Sequence, residues 1–140
     1  MVIISVDLGA ARTGIAACDE QEMLAVPVTV LEIYDREKLC ARVCEIAAER
    51  GAKLVVVGLP RNMDGTEGES AQKARLFAEA ITKSSGLPTV MQDERGTTIT
   101  AHNYLNYTDT RGKKRKAAVD AVAATIILED HLQSRRNRRQ

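Results

Sequence analysis

Four acids stand where a folded chain seldom tolerates charge. Asp7 closes the apolar run Val2–Val6 just before Gly9, and Asp93 and Glu94 follow the strand-like stretch Thr89–Gln92. Asp120 lies one residue from the apolar stripe of the last helical segment. A carboxylate at the end of a buried strand is costly to desolvate unless something cationic pairs with it. The ends of two nearby strands and one helix can gather three or four such groups, and the cluster repels itself without a metal. Only two histidines are present and no Cys-x-x-Cys pair, so the donors are hard oxygens that select Mg²⁺ or Mn²⁺ over zinc. Each acid also has a plain reading. Asp7 can accept backbone N–H groups in a turn, Asp93 or Glu94 can pair with Arg95, and Asp120 can be a first-turn residue favoured by the helix dipole.

The elements that must position these acids follow from periodicity. Val2–Val6 is a continuous β-branched run, as in a strand covered on both faces. Gly9 and Gly14 bracket a turn, after which Ile15–Cys18 resumes a strand. Residues 25–33 are strand-like, with Pro27 restricting them to a sheet edge or a bulge. Leu39, Val43, Ile46 and Ala47 then fall on one helical face, with Asp35 as N-cap and Gly51 as stop. Leu54–Val57 is a buried strand closed by Gly58-Leu59-Pro60. Thr66 and Glu69 have capping-box spacing, before a helix carrying Ala74, Phe77, Ala78 and Ile81 and stopping near Gly86. After the fifth strand, a helix is expected from Thr97 or Thr98, then a basic loop. The final helix has Val119, Val122, Ala123, Ile126 and Ile127 inward. Strand–helix–strand alternation in the second half requires right-handed parallel crossovers. The expectation is an α/β fold: a mixed five-stranded sheet, three antiparallel strands and then parallel ones, with helices on both faces.

The 140 residues suit one domain, read as 1–133 with a basic tail over 134–140. An apolar content of 44% against 28% charged residues excludes a disordered chain. No apolar run nears the roughly 20 residues that cross a bilayer, and no basic segment precedes an apolar one at the start, so neither a membrane partner nor a leader is expected. Cys18, Cys40 and Cys44 read as small core hydrophobes in a reducing cytoplasm. Net charge is only +1, but its distribution is uneven. Arg111, Lys113, Lys114, Arg115 and Lys116 form one basic cluster, and Arg135, Arg136, Arg138 and Arg139 form another. Two cationic patches on a balanced chain suit a polyanion, although a solvated loop and a frayed tail would look the same. With three tyrosines, one phenylalanine and no tryptophan, base stacking is weak, and recognition would rest on shape and backbone.

Four motifs occur in order: Asp7-Leu8-Gly9…Arg12-Thr13-Gly14-Ile15-Ala16, Gly58-Leu59-Pro60-Arg61-Asn62-Met63-Asp64-Gly65, Asp93-Glu94-Arg95…Thr97-Thr98, and Asp120…Ala123-Ala124…Ile127-Leu128. From Val2 to about Leu132 the chain resembles the YqgF (RuvX-like) family, described both as Holliday-junction resolvases and as nucleases maturing the 5′ end of pre-16S ribosomal RNA. The resemblance implies a ribonuclease H-like fold, with metal ligands at Asp7, in the Asp93-Glu94 pair and at Asp120. It departs at Gly96, where the family usually has an apolar residue. Gly58-Leu59-Pro60 also stands where other ribonuclease H-like enzymes often carry an acid, so the strand-five acids would take over that role, Asp93 and Glu94 being equal candidates.

The activity implied is metal-dependent hydrolysis of a phosphodiester, with Asp7 bridging two metals, one lowering the pKa of the attacking water and one stabilising the leaving oxygen. Arg12, Arg61 and Arg95, beside the motif acids, would grip phosphate oxygens or else balance neighbouring charge. Arg111–Lys116 would track more distant phosphates. The expected substrate is precursor ribosomal RNA. The alternatives are a four-way DNA junction, cut by a homodimer rather than a monomer, and a non-catalytic nucleic-acid-binding module. An actin-like phosphotransferase shares the opening Asp-x-Gly turn but needs two such domains, typically more than twice this length.

Overall fold

The computed structural model describes residues 1–94 and 112–139, with side chains described from 119 to 138 in the last helix. Its strands are β1 (Ile3–Leu8), β2 (Thr13–Cys18), β3 (Ala25–Leu31), β4 (Leu54–Leu59) and β5 (Thr89–Asp93). The helices among the described residues are α1 (Arg36–Arg50), α2 (Glu69–Ser85) and α3 (Gly112–Arg139). One five-stranded sheet has the order β3-β2-β1-β4-β5. β1, β2 and β3 form the antiparallel meander, and β4 and β5 add in parallel to β1. The mixed α/β expectation holds. Pro27 lies on the edge strand β3, one step from a register shift between Ile15 and Ala16, where its missing N–H costs nothing.

Period-two alternation divides the sheet into two faces. Ile4, Val6, Ile15, Ala17, Val55 and Val57 pack under α1 and α2 with Leu39, Val43, Phe77 and Ile81. Ile3, Ala16, Leu54 and Val56 pack on the other face against Ala124, Ile127, Leu128 and Leu132 of α3. Asp35 caps α1 by accepting from the backbone N–H groups of Glu37 and Lys38, and Gly51 ends it in the left-handed conformation.

Three local expectations need correction. The Thr66–Glu69 capping box does not form: α2 starts at Glu69 from Gly68 with no side-chain cap. Thr66 instead donates its backbone N–H and hydroxyl to Asp64 and accepts from Asn62. The nearer Asx-type bond competes with the cap. Lys113, Lys114, Arg115 and Lys116 are not in a loop but in the first turns of α3, their side chains lying outside the described residues. The segment 134–140, read as a tail, continues α3 through Arg139. Its anchor is Glu22, which accepts from Arg135 and from the Met1 ammonium, while Arg136 donates to the carbonyls of Glu22 and Met23. The helix expected from Thr97 or Thr98, together with Arg95, Gly96 and Arg111, lies outside the described residues.

Candidate active site

β1 brings Asp7 to its C-terminal end, and strand parity decides which way it faces. Ser5, two residues earlier, donates its hydroxyl to the Ala124 carbonyl of α3 at 2.7 Å, so Asp7 belongs to the α3 side. On β2 its register partner is Gly14. A Cβ at Gly14 would come within 2.2 Å of the Asp120 carbonyl oxygen. The backbone of α3 therefore rests directly on β2, and Asp120 is held above Asp7.

The fifth strand does not touch the first, because β4 lies between them. Glu94 crosses that gap. In register with β4, Val90 pairs with Val56 and Gln92 with Gly58, so Glu94, two residues on, shares their face. Gly58 has no side chain to block the path: a Cβ there would lie 2.2 Å from Oε2 of Glu94 and 2.7 Å from Cδ1 of Ile127. The Glu94 carboxyl lies over bare β4 backbone and hydrogen-bonds Asp7. Asp93 pairs in register with Leu59 and alternates to the α1/α2 face. The two neighbouring acids are thereby distinguished: Glu94 joins Asp7, and Asp93 adds only its charge from the other side.

Electrostatics follow from this placement. Burial is the largest influence on Asp7 and pushes it up to about 6, with the Glu94 hydrogen bond acting against that and the Asp120 charge adding to it. Glu94 is pushed up to about 8, first by burial, then by the Asp7 charge, its hydrogen bond to Asp7 and the charge of Asp93. Burial and mutual repulsion leave the two carboxyls as a hydrogen-bonded pair sharing one proton. Arg12 supplies local positive charge, donating from Nε to Oδ2 of Asp120 at 2.8 Å.

Among the described residues no three His, Cys, Asp or Glu side chains are grouped closely enough to hold an ion as they stand. The donors nevertheless fit a hard divalent cation: three carboxyls from β1, the end of β5 and α3, two of them destabilised as anions by burial and by each other. Arg61 is drawn partly away from the acids. Its Nη2 lies 3.5 Å from Glu67, which also takes two hydrogen bonds from Arg75, while its buried Nε has no hydrogen-bond partner among the described residues. Sequence reasoning missed Gly58 as a site residue and read Gly14 only as a turn. The absence of an acid at the end of β4 was the available signal.

Comparison with known proteins identifies the family and the fold. The family model described as "RuvX: Holliday junction resolvase" matches residues 1–134. A protein of Chloroflexus aurantiacus named as a candidate pre-16S rRNA nuclease is 36% identical over 136 residues, covering 97% of this chain and 89% of its own length. A Leuconostoc citreum protein of the same name is 40% identical over 135 residues, 94% of each chain. In fold, the chain is similar to Thermus thermophilus RuvC, with a TM-score of 0.59 at 14% identity, covering 98% of this chain and 97% of that one. It is also similar to the fowlpox virus Holliday junction resolvase, with a TM-score of 0.57 at 14% identity, covering 96% and 99%. The fold is ribonuclease H-like, and by a match running through nearly its whole length the chain belongs to the RuvX family.

Proposed function

We propose that this protein is a metal-dependent nuclease that hydrolyses a phosphodiester of structured nucleic acid, with the 5′ end of pre-16S ribosomal RNA as its substrate in the cytoplasm. The observation that carries the reading is the Glu94 carboxyl lying across Gly58 onto Asp7 beneath Asp120. Among the described residues this cluster has more buried acid than Arg12 can neutralise, and Mg²⁺ or Mn²⁺ would complete the balance. Asp7, Glu94 and Asp120 would hold the ion, and Asp93 is left out of the ligand set. When bound, the metal supplies a lowered pKa for water and charge stabilisation of the leaving oxygen. To hold the ion, Asp7 and Glu94 would lose the proton they share. Arg12 sits beside Asp120 with its guanidinium Nη groups available for non-bridging phosphate oxygens, and Lys113–Lys116 contact phosphates further along. All three cysteines are free thiols, and among the described residues no helix is long and apolar enough to cross a membrane.

The substrate follows the names of the relatives, which specify pre-16S rRNA. A second reading, cleavage of four-way DNA, has its own support in the family description and in the junction-bound RuvC that shares this fold. The two are separated by offering precursor ribosomal RNA and four-way DNA at equal concentration, with and without Mg²⁺, while solution mass is measured. We expect RNA products only with the metal. A stable dimer that nicks the junction symmetrically and leaves the RNA intact would reverse the assignment.

A further inference from the structure

Away from the acids, a cleft of about 580 Å³ opens between α3 and the edge strand β5. Its polar lining is Gln92, His131, Ser134, Arg135 and Arg138. His131 is 6% exposed, and its Nε2 is buried without a hydrogen-bond partner among the described residues. A buried ring nitrogen left unpaired is costly and rare in native proteins. Burial, then the charges of Arg135 and Arg138, hold the imidazole below its ordinary range, so at neutral pH it is an uncharged donor or acceptor facing a cationic wall. Arg135 is largely committed to Glu22, whereas Arg138 is exposed.

The cleft is aligned with the acid cluster along both of its walls. On β5, Gln92 precedes Glu94 by two residues, about 7 Å of strand. On α3, Asp120, Ile127, His131, Ser134 and Arg138 recur at helical spacing and share one stripe. Arg138 stands eighteen residues beyond Asp120, five turns or about 27 Å along the axis.

We propose that this cleft is a phosphate-binding site for the nucleic acid being cut. A backbone phosphate would lie against Arg138 and Ser134, with the uncharged His131 ring beneath it in the cleft wall, so that a strand leaving the acid cluster passes Gln92 and runs down the groove. This rests on the nuclease reading for the identity of the ligand, but binding can be measured without cleavage. The pocket volume is of a size that accommodates a nucleotide, and the shared ligand chemistry is a phosphate oxyanion, either in a polynucleotide or free.

The test uses the full chain in EDTA, a labelled RNA duplex of about twelve base pairs, and anisotropy titrations across a salt series. Arg138→Glu, at an exposed position that leaves the core intact, should weaken binding roughly tenfold and flatten the salt slope by the amount expected for about one phosphate. Arg50→Glu, at the end of α1 on the opposite face, is the charge-matched control and should change neither. In parallel, the His131 Nε2 signal should move on adding the duplex to wild type and to Asp7→Asn alike. Equal losses for Arg138→Glu and Arg50→Glu, or a stationary His131 signal, would overturn the proposal. So would millimolar inorganic phosphate that moves the signal and is not displaced by duplex, because the cleft would then take a free anion. Failure of Asp7→Asn to reduce cleavage would instead sink the nuclease mechanism and leave this binding result standing.

Discussion

Asp7 meets Glu94 across a strand that carries no side chain at the crossing point, and each of these three residues can be varied alone. Asp7→Asn should abolish Mg²⁺-dependent cleavage without unfolding the protein, because amide and carboxyl are nearly isosteric. Retention of a tenth of wild-type turnover would sink the mechanism. Glu94→Gln should be as damaging as Asp7→Asn. Asp93→Asn should keep activity within a few-fold of wild type, since parity turns it to the other face, and a cleavage assay on the two variants side by side decides the matter. Gly58→Ala inserts a Cβ 2.2 Å from Oε2 of Glu94 and 2.7 Å from Cδ1 of Ile127. It should cost about 1–3 kcal/mol in urea unfolding, as overpacking does, and lower cleavage by displacing the Glu94 carboxyl.

Among the elements, α3 carries one of the site's acids and the basic run that we propose meets the nucleic acid. Its inner stripe carries Asp120 at one end and closes the sheet face through Ile127, Leu128 and Leu132. Its first turns hold Lys113, Lys114, Arg115 and Lys116 and no acid. Cations in the first turns of a helix oppose the macrodipole, and a bound phosphate would relieve that opposition. Replacing Lys113, Lys114 and Arg115 with alanine should weaken nucleic-acid binding and flatten its salt dependence by about 0.7–0.9 of a log unit for each phosphate that is no longer neutralised. An unchanged slope would show that these side chains are merely solvated. At the other end, the pairing of Arg135 with buried Glu22 replaces the flexible arm expected from the arginine-rich C-terminus with a docked helix.

For the molecule as a whole, the unpaired acidity of the site sets how stability varies with pH. Asp7 and Glu94 are raised in the folded state to about 6 and about 8, above the usual unfolded values of about 3.9 and about 4.3. At these two groups the folded protein binds more protons than the unfolded chain over roughly pH 4 to 8, so their contribution to stability falls as pH rises through that window and outweighs the opposite contribution of the single His131, held below its ordinary range. Melting curves in EDTA should drop steadily from pH 5 to pH 8 and level off beyond it. Mg²⁺ should reverse the trend above pH 7 by binding only the folded form, and Asp7→Asn should flatten the EDTA profile. A melting temperature that climbs with pH in EDTA would contradict the shared-proton description.

Much of this fold was legible from local pattern. The buried strands at Val2–Val6 and Leu54–Val57, the helix between Asp35 and Gly51, and the edge position of Pro27 each follow from residues close in sequence, because hydrophobic period, capping and the missing proline donor act over a few positions. That Asp7, the Asp93-Glu94 pair and Asp120 are unusual acids was legible in the same way. Their meeting was not. It depends on β4 inserting between β1 and β5, on Gly58 leaving its face bare, and on Gly14 letting the α3 backbone settle onto β2. Local competition hid two further features: Asp64 captured Thr66 from the expected cap, and the run of cations concealed a helix start. The choice between Asp93 and Glu94 illustrates the division most clearly. Alternation puts adjacent residues on opposite faces, but which face holds the site is decided by where α3 packs, an arrangement made across nearly the whole length of the chain.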